Sequence, residues 1–177
     1  MLSKGHCSLA LYAWFAETGV IGEDELAEIA MPGSRLQTHP EAGRLPGIVV
    51  STGSLGQGLS IANGLAIAAR LDGVRREVAV LLGDGELDEG QVWEAAATAA
   101  TLGLDNVVAL VDRNGFQHTG PTERVKVKEP LGERWKAFGW HVVEVSCRPA
   151  EIARALDTAS AVRGRPTVIL VRGEPRY

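Results

Sequence analysis

Two cysteines in 177 residues, Cys7 and Cys147, are too few and too far apart in sequence for a disulfide framework or a metal-ligand spacing. Both are expected as reduced thiols, which suits a cytoplasmic protein. Nor is there an excess of positive charge: Lys and Arg number 18 against 22 Asp and Glu, a formal net charge of −4. That balance argues against nucleic acid or an anionic membrane surface as a partner. No apolar run is long enough to span a bilayer. Residues 9–16, behind Lys4, imitate a leader peptide, but the run ends at Glu17 without a small-residue cleavage site and suits a buried helix. Aromatic residues make up only 5% of the chain, and Trp14, Trp93, Trp135 and Trp140 are expected in the core or at an interface. Repeats, low-complexity tracts and linker-like stretches are also lacking, so one domain over residues 1–177 is expected.

What the chain does have is alternation. Val/Leu-rich runs at 77–82, 107–111, 141–145 and 167–171 predict strands, and a shorter one is predicted at 48–50. Helical patterns cover 8–18, 23–30, a segment ending near Leu71, 90–102, 131–138 and 149–162. Strands alternating with helices predict an α/β fold whose mainly parallel sheet is covered on both faces. The helix ending near Leu71 is apolar almost all round and is expected to be buried on most sides, against the sheet or a partner subunit. Residues 112–130 read as a polar loop.

The chemistry concentrates at Gly83-Asp84-Gly85-Glu86 and Asp112-Arg113-Asn114, each following an apolar run. Parallel neighbouring strands would bring Asp84 and Asn114 to one sheet edge, where open α/β sheets bind ligands. A glycine turn opening a helix presents free N–H groups to an anion. A bare aspartate there would repel a phosphate unless a cation lay between them. Hard oxygen ligands suit Mg²⁺ or Ca²⁺, with diphosphate oxygens and water completing the shell. A dinucleotide-binding turn is the rival reading. It fails because Gly90 stands too far from Gly85, and because Asp84 would face the pyrophosphate unscreened.

Other motifs carry weaker signals. His6, in Ser3-Lys4-Gly5-His6, and His39, in Thr38-His39-Pro40-Glu41, could donate to a phosphate or sugar hydroxyl or move protons, or could be ordinary polar residues. The glycines from Gly53 to Gly58 could let backbone approach a flat ligand, or could form a packed helix-start turn. Glu89 and Glu94 fit the first turn of a helix on macrodipole grounds alone. His118 and His141 receive no role.

Together, Ser3-Lys4-Gly5-His6, His39-Pro40-Glu41, Thr52-Gly53-Ser54-Leu55-Gly56-Gln57-Gly58, Gly83-Asp84-Gly85-Glu86 with Glu89-Gly90, and Asp112-Arg113-Asn114 resemble, in order, the thiamine-diphosphate-binding domain of transketolases. The resemblance covers essentially the whole chain. It implies the three-layer α/β/α thiamine-diphosphate-binding fold and transfer of a two-carbon ketol unit from a ketose to an acceptor. It implies that Asp84, Asn114 and the Phe116 carbonyl ligate the metal, and that Gly83, Gly85, Glu86, Gly53 and Leu55 belong to the cofactor site. His6, His39 and Glu89 become the catalytic candidates, with Glu89 and Glu94 beside a partner's catalytic glutamate.

The family's pyrimidine-binding domain has no counterpart before the chain stops at Tyr177. The chain therefore resembles the first subunit of a two-component transketolase, in an expected α2β2 heterotetramer acting on a small sugar. It looks shortened at both ends: an upstream histidine segment and a later histidine motif are missing. A non-catalytic scaffold, or a relative serving a carrier protein or specialised metabolite, stays open beside that reading. Ser54 replaces a common proline, a change expected to be tolerated.

Overall fold

The computed structural model describes residues 1–173. Residues 174–177, the end of the expected single domain, lie outside the described residues. Four parallel strands form the main sheet: β1 (Val78–Gly83), β2 (Val107–Arg113), β5 (His141–Ser146) and β6 (Thr167–Arg172), in the order β1-β2-β6-β5. The register sets Gly83 beside Asp112, and both Arg113 and Ser146 beside Arg172. The carboxyl ends of all four strands therefore share one edge.

The side-chain period of two divides each strand between two helical layers. Val80, Leu82, Ala109, Val111, Val168 and Leu170 point to one face. Helices α2 (Gln57–Leu71), α3 (Gly90–Thr101) and α5 (Leu131–Ala137) cover it with Leu59, Ala62, Ala66, Val92, Ala96 and Trp135. Trp135 meets Trp140 edge-on at 4.8 Å, and the Trp140 indole N–H donates to the Ala96 carbonyl at 2.9 Å. Val108, Ile169 and Val171 point the other way, onto Ala155 and Ala159 of α6 (Pro149–Ala161). A third cluster joins Tyr12 and Phe15 of α1 (Ser8–Glu17) to Leu36, Leu45 and Ile48.

Several details differ from expectation. Residues 48–50 form no strand: the Ile48 N–H is bonded locally to Leu45 and its carbonyl accepts from Gly43, so no neighbouring strand is engaged. The segment expected as a helix over 23–30 is a 3₁₀ turn, Glu23–Glu28. The polar loop at 112–130 contains a two-stranded ribbon, β3 (Phe116–Gln117) with β4 (Gly120–Pro121), and a one-turn helix, α4 (Thr122–Val125). Helix α2 buries one stripe only, since Gly64 and Leu65 are exposed within this chain. Trp14, expected in a core or interface, is 58% exposed here.

The chain ahead of α1 reaches the carboxyl edge beside β1. Leu81 donates its N–H to the Met1 carbonyl, and the Ser3 N–H donates to the Leu81 carbonyl, each at 2.9 Å. This short parallel pairing delivers Lys4 and His6 to the same edge as Asp84.

Candidate active site

A cavity of about 1280 Å³ opens at that edge. Asp84 and Gly83 reach it from the end of β1, and Asn114 and Phe116 from the end of β2. His6 enters from the segment before α1, His39 from the 32–47 loop, and Gly53 and Leu55 from the turn before α2. Gly85, Glu86 and Glu89 also line it, so every site residue expected from the sequence except Glu94 faces one cavity.

Asp84 caps the 3₁₀ turn Gly85–Asp88 and is 1% exposed. One of its oxygens accepts the Gly85 N–H at 2.8 Å. The other accepts the Gly115 N–H at 2.7 Å and Arg113 Nη1 at 3.2 Å. Burial pushes the Asp84 carboxyl above its usual range, against the opposing pull of the Gly115 N–H, Arg113 and the Gly85 N–H. Arg113 is itself buried and also bonds Thr122, Glu123 and Glu129, which anchors the base of the loop that follows β2. Asn114 turns its amide N–H₂ to Asp112 at 3.1 Å and accepts the Phe116 N–H on Oδ1 at 2.9 Å. That bond curls the loop so that the 114 and 116 oxygens belong to one turn.

The donor set fits a hard divalent cation: a carboxylate, a side-chain amide oxygen and a main-chain carbonyl belong to residues that line the same cavity. Among the described residues no three His, Cys, Asp or Glu side chains are arranged to hold a metal alone. A cation here would complete its shell with oxygens of water or of a ligand.

Glycines mark the places where these segments touch. A Cβ on Gly53 would come within 3.0 Å of the His39 ring, so the absent side chain is what lets that imidazole lie against the turn. On Gly56, whose φ is +85°, a Cβ would meet the Glu89 Cβ at 2.7 Å. Glycine spacing in the sequence is equally compatible with ligand approach and with packing. Gly56 is a packing glycine, while a Cβ on Gly83 would meet its nearest neighbours, Glu86 and Lys4, at an ordinary 3.8 Å.

Several cavity residues escape the sequence reading, Lys4 and His118 among them. Lys4 is 4% exposed and bonds Asp112 at 2.6 Å. Burial works against its charge, but the Asp112 hydrogen bond and charge outweigh it and raise the ammonium pKa. His118 lies on the β3–β4 turn and faces the cavity. Its only signal in the sequence is its position two residues after Phe116. His141, by contrast, starts β5 at the opposite edge of the sheet. Burial lowers the His6 pKa, Lys4 and His39 lower it further, and Glu86 and Asp112 oppose.

A family model described as "Transketolase, thiamine diphosphate binding domain" matches residues 1–174. The chain is 41% identical over 172 residues to the 6-deoxy-6-sulfo-D-fructose transketolase subunit SqwG of Clostridium sp. (strain MSTE9), covering 97% of this chain and 62% of that protein. It is 42% identical over 170 residues to a subunit of the apulose-4-phosphate transketolase of Actinobacillus succinogenes, covering 95% of this chain and 61% of that one. Among solved structures, transketolase from Leishmania mexicana superposes with a TM-score of 0.90 at 34% identity, over 97% of this chain and 28% of that chain. The chain thus spans less than two thirds of the length of each of these relatives.

Proposed function

Because the chain belongs to the transketolase family, matched over residues 1–174 by its thiamine-diphosphate-binding domain, we propose that it is the cofactor-binding part of an enzyme moving a two-carbon ketol unit from a ketose to an acceptor. Residues 1–177 act in it as one domain. The observation that carries the reading is the meeting of Asp84, Asn114, His6 and His39 on one cavity at the carboxyl edge of a parallel sheet.

Bound thiamine diphosphate supplies the nucleophilic carbon that opens the bond beside a ketose carbonyl. The chain's own residues bind and orient. Asp84, Asn114 and the Phe116 carbonyl would hold Mg²⁺, or Ca²⁺ in its place, as the counter-charge of the diphosphate. Gly83 and Gly85 would form the turn that meets that diphosphate, with Gly85 packed on Gln117, and Gly53 and Leu55 would belong to the aminopyrimidine side of the site. His39, braced on Gly53, donates to a hydroxyl of the sugar. His6, held towards its neutral form, can donate or accept a hydrogen bond beside the reacting carbons. Glu89 is exposed at the cavity, and Glu94 is exposed further along α3, both on a surface suited to a second chain.

The two relatives above are named as subunits, which supports a separate partner chain. In this reading that partner carries the pyrimidine domain and the activating carboxylate, in an α2β2 assembly. The free thiols of Cys7 and Cys147 suit the reducing cytoplasm. Isothermal calorimetry with the partner present tests the assignment. Wild type should bind thiamine diphosphate only with Mg²⁺, and Asp84→Ala should abolish that binding. Unchanged affinity in the variant would remove Asp84 from the metal site.

A further inference from the structure

Glu86 is 2% exposed, yet it accepts hydrogen bonds from three separate segments of the chain. Its Oε1 accepts the Ser3 hydroxyl at 2.5 Å and the Gly56 N–H at 2.9 Å. Its Oε2 accepts the Gly83 N–H at 2.9 Å. Ser3 belongs to the segment that carries Lys4 and His6. Gly56 belongs to the turn that carries Gly53 and Leu55, and Gly83 immediately precedes Asp84. We propose that Glu86 is a positioning residue of the cofactor site, one carboxylate that fixes the three cavity walls relative to one another. The proposal rests on reading the cavity as a thiamine diphosphate site.

Both Glu86 oxygens are engaged by protein donors, so its action on a ligand is exerted through the residues it ties together. Bonds to a carboxylate are stronger than neutral ones, and three of them in a buried setting hold their donors firmly. The surrounding packing points the same way. A Cβ on Gly58 would lie 2.2 Å from Ser3 Oγ, so the bare backbone of α2 lies directly against the hydroxyl that bonds Glu86. A Cβ on Gly5 would lie 2.8 Å from the Gly53 nitrogen and the Thr52 carbonyl carbon, so the first two walls also meet through bare backbone. Such contacts only separate surfaces, whereas the carboxylate pulls them together. Precision of this kind matters because a displacement of about 1 Å costs a site on the order of a hundredfold.

The test compares wild type, Glu86→Gln, Ser3→Ala and the double variant, each in complex with the partner chain. Glutamine keeps the shape, but one end of its amide is a donor, so it cannot accept from all three groups. Calorimetric affinity for thiamine diphosphate in Mg²⁺ should fall by about tenfold or more in Glu86→Gln and by a few fold in Ser3→Ala. The double variant should be no worse than Glu86→Gln, because the two residues act through one contact. In the cofactor-free complex, amide hydrogen exchange at Gly56 or Gly83 should accelerate in Glu86→Gln by about tenfold. Affinity within twofold of wild type, or unchanged exchange at both amides, overturns the proposal. So does a lowered unfolding midpoint with undiminished affinity, the pattern of a purely structural residue. If Glu86→Gln does not fold, Ser3→Ala decides, and unchanged affinity and Gly56 exchange in that variant count against the role. Wild type failing to bind thiamine diphosphate would instead overturn the site assignment, leaving the exchange result to report on the clasp alone.

Discussion

At the scale of single residues, the site is governed by which charges stand next to which. Lys4 is buried against Asp112, and its ammonium lies near the His6 imidazole. Burial and that cation both disfavour a protonated His6, so the folded chain binds the proton less readily than the unfolded chain does. The sign follows: this contribution to stability is fully present above the ordinary imidazole pKa of about 6.5 and is lost as pH falls through the lowered folded value. An NMR titration should place the His6 midpoint below that of an ordinary histidine. Lys4→Met should move it upwards, since the variant removes a cation and leaves the Asp112 charge uncompensated. A wild-type midpoint at the ordinary value would contradict this placement of charges. Other residues cannot be read this way from the sequence. Lys4 reads there as part of a motif and His118 receives no role, because burial and cavity exposure depend on contacts more than a hundred positions apart for Lys4 and on a short two-stranded ribbon for His118.

At the scale of elements, α2 offers two glycines with opposite expected behaviour. Gly64 is exposed, with nothing within 4 Å of the place a Cβ would occupy. Gly64→Ala should therefore stabilise the chain by up to about 1 kcal/mol, the gain of alanine over glycine inside a helix. Gly58→Ala gains the same propensity but drives a methyl to within 2.2 Å of Ser3 Oγ and 3.0 Å of Ser3 Cα. Ser3 is held by its backbone bond to Leu81 and by Glu86, so it cannot simply withdraw. Overpacking at about 1–3 kcal/mol outweighs the propensity gain, so the variant should be destabilised. Urea unfolding of the two variants checks the signs, and stabilisation by both would mean that the contact between α2 and Ser3 is loose. The same helix shows what a single sequence reveals. Its existence and its glycine-rich start are legible, as are the four main strands, because apolar runs and their spacing are local. Its exposed face is not, since an almost uniformly apolar helix carries no mark of which side meets the sheet. Residues 48–50 mislead for a related reason: three apolar residues satisfy the strand pattern, but no neighbour is placed to accept the pairing.

At the scale of the whole molecule, the cavity unites a local charge problem with the chain's incompleteness as a metal site. Asp84, Glu86, Asp88, Glu89 and Asp112 line it; the buried cations Arg113, Lys128 and Lys4 pair Asp84, Asp88 and Asp112, while Glu86 and Glu89 add two further carboxylates. A diphosphate entering alone meets net negative charge, while among the described residues no three His, Cys, Asp or Glu side chains are grouped to hold a divalent cation entering alone. Each ligand supplies what the other lacks, so their binding should be mutually dependent. A ligand that binds only the folded state at a hundred times its dissociation constant stabilises by about 2.7 kcal/mol. For a domain of this size that corresponds to roughly 5–10 °C in the unfolding midpoint. Thiamine diphosphate with Mg²⁺ should therefore raise the midpoint of the complex by about that amount. Either ligand alone should leave it within about a degree, and excess EDTA should reverse the joint effect. A full shift with thiamine diphosphate in EDTA would show that the anion needs no bridging cation. That outcome would leave Asp84 facing the diphosphate directly, the arrangement that the charge of this cavity opposes.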